Sequence, residues 1–137
     1  MGIGVLTGDR ARPGGDERLA GWQELASVCP WATPYGCPDL AGLWFEANAR
    51  VYEPLVLFES AADGGLDGLL ALARDRSTGQ LVPAVHRDAS VYGWLARPLR
   101  GSFFMERAVL ALAERFGGQR LELEALPEGA PTDWTRP

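Results

Sequence analysis

At 137 residues, 47% of them hydrophobic and 23% charged, the chain is long enough for one domain whose apolar core needs no disulfide or metal staple. Its net charge of -5, with 13 basic residues that are all arginine, argues against general nucleic-acid binding, which calls for a basic face, so no DNA partner is expected. No apolar run approaches the ~20 residues of a membrane span, and the N-terminus lacks the basic and apolar parts of a secretory signal, so the expectation is a cytoplasmic protein with no membrane span.

Residues 3–6 predict a short edge strand. Residues 9–15, with charges, Pro13 and paired glycines, predict a mobile connector, so that 1–15 precedes the domain proper. Asp16 is placed to cap a helix running to about residue 28, with Leu19, Trp22, Leu25 and Ala26 recurring on one face. Cys29 and Pro30 stop it, because a residue before proline is driven out of the helical region. An aromatic-rich loop over 31–38 leads to a second helix, with Pro38 at its start and a sheet-facing stripe of Leu40, Leu43, Trp44, Ala47 and Val51.

The stretch 54–98 organises the remainder. Apolar runs at 55–58, 68–73 and 91–96 predict three adjacent strands, and their continuity predicts cover on both faces. The first two are joined through 61–65, where glycines permit the positive φ of a tight reversal. A polar turn at 74–79 follows, then Leu81 and Val82 lead through Pro83 to His86. A helix is predicted over 103–116, with Ser102 as N-cap, a buried stripe of Met105, Val109, Leu112 and Phe116, and Gly117 and Gly118 as its stop. Residues 120–126 alternate and predict a strand with one wet face, while 127–137 read as a linker or truncated tail. Strand, helix and strand from 91 to 126 form a βαβ unit. The expected fold class is therefore α/β, a sheet mixing antiparallel and parallel pairs with helices on both faces.

Helix pair, meander and βαβ unit follow the order of elements in the GNAT (GCN5-related) acyltransferase fold. More narrowly, Trp31-Ala32-Thr33-Pro34, Leu43-Trp44, the runs 54–58 and 68–73, Tyr92 with Trp94-Leu95-Ala96, and the stretch 126–131 together resemble the N-terminal half of CelD/BcsL-type acetyltransferases. These are tandem-GNAT proteins related to the FemAB group. The resemblance runs from Asp16 to Pro137, its weight lies in the order of the stretches, and it makes 16–126 a GNAT-like domain. It implies transfer of an acyl group from acetyl-CoA or another acyl-CoA, or of an aminoacyl group from tRNA as in FemAB relatives, to an amine or hydroxyl of a small-molecule acceptor such as a cell-envelope sugar. Family members are more than twice as long. The implied partner is accordingly a second GNAT-like half, or another copy of the chain. The alternative to a catalytic half is a non-catalytic module that docks with, or shapes the substrate site of, a second catalytic half.

The resemblance places the cofactor's pyrophosphate at a loop of pattern Q/R-x-x-G-x-G/A. Aligned from Arg97, that pattern meets Arg100 and Ser102 where glycine and glycine or alanine are expected. The candidate cofactor-binding set is Arg97, Arg100, Gly101 and Ser102, because a helix N-terminus offers unpaired N–H groups and partial positive charge to an anion. The plain alternative is that both arginines are solvated and Ser102 only caps. His86, the sole histidine, is the candidate acid–base residue, oriented by Asp88 or another carboxylate; otherwise it is an ordinary polar loop residue. Tyr92 is by resemblance a proton donor to a leaving thiolate, or else a core aromatic on the face of Trp94. Cys29 and Cys37 each precede proline, there is no C-x-x-C, and one histidine cannot complete a four-ligand zinc site, so no metal is expected.

Overall fold

The structure is a computed structural model and describes residues 2–32, 34–84 and 94–116. Two long strands, β2 (Tyr52–Ser60) and β3 (Leu66–Asp75), form a hairpin at its centre. β1 (Gly4–Thr7) adds to the outer side of β2, covering only Leu55 to Phe58, so Pro54 lies where β2 has no strand partner on that side. The other side of β3 is shared between β4 (Leu81–Pro83) and β5 (Trp94–Ala96). The result is an α/β fold with a five-stranded sheet in which every pairing among the described residues is antiparallel. The parallel pair expected of a mixed sheet falls on residues 120–126, which lie outside the described residues, as do 127–137.

The hairpin forms as its residues dictate. Gly64 takes a φ of 91°, Ala61 N–H donates to the Gly65 carbonyl at 2.8 Å, and the Asp63 carboxylate accepts from Gly65 N–H at 2.9 Å. The apolar runs 55–58 and 69–73 are buried without a gap, as continuous runs require. Both faces are covered. On one, a Cβ at Gly68 would overlap the Phe104 ring of helix α3 (Gly101–Phe116). On the other, Phe58 and its partner Leu69 point toward the N-terminal segment, where the Arg18 guanidinium lies 5.5 Å from the Phe58 ring.

Several expectations need correction. The helix foreseen from Asp16 is split: Asp16 caps a 3-10 turn, Glu17–Leu19, accepting from Arg18 N–H at 2.9 Å, and α1 spans only Trp22–Val28. Gly21, a poor helix former, sits at the break. Within the expected connector 9–15, the 3-10 turn Gly8–Ala11 buries Ala11 completely, while Gly14 and Gly15 are exposed. Helix α2 (Pro38–Ala47) turns a different face inward: Ala41 and Phe45 are buried, whereas Leu43 is 61% exposed and Val51 beyond it 52%. Trp44 lies at the flank, tilted against Tyr52 with ring centroids 5.7 Å apart, which rotates the helix onto its Phe45 side.

In α3 the buried residues are Gly101, Phe104, Met105, Ala108 and Leu112, while Val109 is 44% exposed. Seating Phe104 on Gly68 sets the rotation of the helix, and Val109 is carried out of contact. The helix also starts earlier than expected. Phe104 N–H donates to the Arg100 carbonyl at 2.9 Å, so Ser102 lies inside the first turn and is not the cap. Of the third expected strand, 94–96 are in place and 91–93 lie outside the described residues.

Candidate functional site

The loop entering α3 is built by β5 and by the end of the β2–β3 hairpin. Arg97 N–H still pairs with β3, donating to the Asp67 carbonyl at 2.9 Å, and Arg100 N–H closes a turn onto the Arg97 carbonyl at 3.0 Å. Between them Leu99 adopts a φ of 67° with its side chain wholly in solvent. A non-glycine residue rarely occupies that region.

The arginine side chains turn toward the protein. Arg97 Nε donates to the Leu66 carbonyl at 2.9 Å and lies 3.6 Å from Asp67 Oδ1, while its Nη2 donates to Glu24 Oε1 at 3.0 Å. Arg100 Nη2 donates to Glu59 Oε1 at 3.2 Å and lies 3.8 Å from Asp67 Oδ2. Arg107, seven residues and about two helical turns further on, reaches the other Glu59 oxygen. Glu59 is 2% exposed, so this is a carboxylate removed from water and held by two guanidinium groups. Both guanidinium groups also lie 5.0 Å from the Phe103 ring centroid, within cation–π range.

Three arginines thus meet three carboxylates: Glu24, Glu59 and Asp67. Such a cluster has no net positive charge to offer an anion. It fastens the first turns of α3 to the hairpin end, where β2 carries a register shift between Glu59 and Ser60. Of the expected cofactor-binding set, Arg97, Arg100, Gly101 and Ser102 do come together at the helix entrance. Both arginines, however, are engaged by side chains, and Gly101 is buried. His86 and Tyr92 lie outside the described residues.

Beside this junction, Trp31 Nε1 donates to the Trp94 carbonyl at 2.9 Å and the two indoles meet at 4.8 Å between centroids. The 31–38 loop is further tied to α1 by Trp22 Nε1 donating to the Gly36 carbonyl at 3.0 Å. Burial pushes the Cys29 thiol pKa up, against a smaller opposing effect of the Ala96, Trp31 and Ala32 backbone groups, so it is a poor nucleophile. No group of three or more His, Cys, Asp or Glu residues is arranged to hold a metal ion among the described residues. No helix of the described residues is long and apolar enough to cross a membrane.

Sequence reasoning missed Glu59, Arg107 and Phe103. The available signal was a lone carboxylate closing an apolar strand, together with three arginines within eleven positions of chain. A second concavity, about 710 Å³ and open to solvent, lies between the 3-10 turn near Asp9 and α2, with Arg12, Asp39, Leu43 and Glu46 on its walls. Its lining comes from segments far apart in sequence, which left no local motif to find. Neither a protein-family model, nor a curated protein, nor a solved structure matches the chain.

Proposed function

We propose that this chain is a GNAT-like module that docks with a second, catalytic half and does not by itself bind acyl-CoA. The observation behind this reading is the commitment of Arg97 and Arg100, the residues the resemblance assigns to the cofactor's pyrophosphate, to Glu24, Asp67 and the buried Glu59. To take up a phosphate, Arg100 would have to leave a desolvated carboxylate. That exchange gives up a charge-assisted contact with Glu59, which Arg107 alone would then hold. The residues present therefore fit the pyrophosphate poorly, and no catalytic step is drawn through acyl-CoA. The apolar side chains that α3 and its loop leave in solvent, Leu99, Phe103 and Leu110, suit a docking module.

The test is calorimetric titration of the purified chain with acetyl-CoA at physiological salt. No saturable heat is expected. Saturable binding that disappears in an Arg97→Ala/Arg100→Ala variant with unchanged thermal stability would reject the proposal.

One observation favours a second reading. Edge strand, helix pair, antiparallel meander and a loop entering a long helix follow one another here in the order on which the acyltransferase resemblance rests. Under that reading the chain has GNAT-type acyltransferase activity, with His86 and Tyr92 as the proton-transfer candidates. Acyl transfer to a small amine by the chain alone, abolished by His86→Ala, would establish it.

A further inference from the structure

We infer that β4 and β5 lie in one continuous register on β3, so that Ala84 can be joined directly to Trp94 without loss of the sheet. Along one edge of β3 the register runs Arg74 opposite Leu81, Ala73 opposite Val82 and Leu72 opposite Pro83. Ala84 continues it, donating its N–H to the Ala71 carbonyl at 3.1 Å. The next β3 residue, Leu70, is opposite Trp94, followed by Leu69 opposite Leu95 and Gly68 opposite Ala96. Arg97 N–H then donates to the Asp67 carbonyl at 2.9 Å.

Every β3 position from Arg74 to Asp67 therefore has its neighbour on this edge. Ala84 and Trp94 are thus matched to consecutive β3 residues, Ala71 and Leu70. Both segments run antiparallel to β3, so they share one direction and one line. The alternation of faces also survives the join. Ala84 and Trp94 sit opposite consecutive residues, so linking them leaves Trp94, Leu95 and Ala96 on their present faces, whereas a slip of one position would turn each of them over. Trp94 is held by partners elsewhere, through the Trp31 indole tilted against its ring and hydrogen-bonded to its carbonyl. A shorter connection between the two segments costs less conformational entropy to close. This inference stands apart from the proposed function.

Two variants test it: one deleting 85–93 and joining Ala84 directly to Trp94, the other replacing the same residues by glycine and serine at equal length. The deletion variant is expected to unfold cooperatively with a Tm equal to or above that of the parent and to keep the near-ultraviolet dichroism of the Trp31–Trp94 pair. A folded deletion variant supports the inference whatever the replacement does. A deletion variant that is unfolded overturns it. Where the deletion is unfolded, a folded replacement would show that the length of the connection is required, and an unfolded one that its native residues are.

Discussion

Two clusters in this protein share one composition, a largely covered carboxylate gripped by two arginines, and differ in how far apart in the chain their partners lie. Near the N-terminus, Asp16 accepts from Arg10 Nη2 at 2.7 Å and from Arg18 Nε at 3.1 Å. At the end of the central hairpin, Glu59 is held by Arg100 and Arg107. The first cluster shapes a turn of its own neighbourhood: Arg18 N–H is bonded to the same carboxylate, and every partner lies within a few residues. The second joins segments 41 and 48 residues apart, strand to helix. The arginines of the first are 65% and 47% exposed, so water competes for them and the contribution of the cluster is modest. Glu59 is 2% exposed, and losing both of its arginines would leave a buried charge without a partner.

The comparison breaks most easily at its buried member. An Arg100→Ala/Arg107→Ala variant should lose about 3–5 kcal/mol of stability in urea melts, because Glu59 keeps its burial and loses both partners. A loss under about 1 kcal/mol would mean that Glu59 gains water once the arginines are gone. Packing on the same helix provides the reference. Leu112→Ala should cost roughly 2–5 kcal/mol, and Val109→Ala, half exposed, should stay within about 0.5 kcal/mol. Equal effects would place Val109 in the core and contradict the observed rotation of α3.

Gly68→Ala comes next. Its methyl would meet the Phe104 ring, an overpacking of roughly 1–3 kcal/mol, and combining it with Phe104→Leu should be less than additive. Strict additivity would separate the glycine from the helix.

The smallest effect belongs to the Asp16 cluster. Hydrogen bonds from the Arg18 side chain and backbone, then from Arg10, hold the Asp16 pKa well below the ordinary aspartate range. A depressed folded-state pKa adds stability that is complete above the unfolded-state value and fades as pH falls through that value toward the folded one. Asp16→Asn should therefore lower Tm slightly at neutral pH and low salt, with the difference shrinking in acid and in high salt. A difference that grows on acidification would reverse the assigned sign.

Much of the framework was legible in the sequence because local residues decide it. The runs at 55–58 and 68–73 could only be buried strands, the glycines between them required a reversal, and Cys29 with Pro30 had to end a helix. The rotation of each helix was not legible. The apolar residues of α3 allow overlapping faces, and the choice rests on Gly68, more than thirty residues earlier, leaving room for Phe104. In α2 the contact between Trp44 and Tyr52 made a similar choice. The arginine loop was read correctly as a helix entrance and incompletely as a site. Its charges are answered by Glu24, Glu59 and Asp67, and pairing across such distances leaves no trace in spacing.

The commitment of Arg97 and Arg100 to internal carboxylates is tested most directly by nitrogen-15 NMR of the arginine Nε–Hε groups during titration with inorganic pyrophosphate at physiological salt. The account predicts a slowly exchanging Arg97 Nε–Hε, protected by the Leu66 carbonyl, and no saturable shift of either arginine. Saturable movement of both resonances, with the fold unchanged, would show that these arginines are available to an anion and would contradict it.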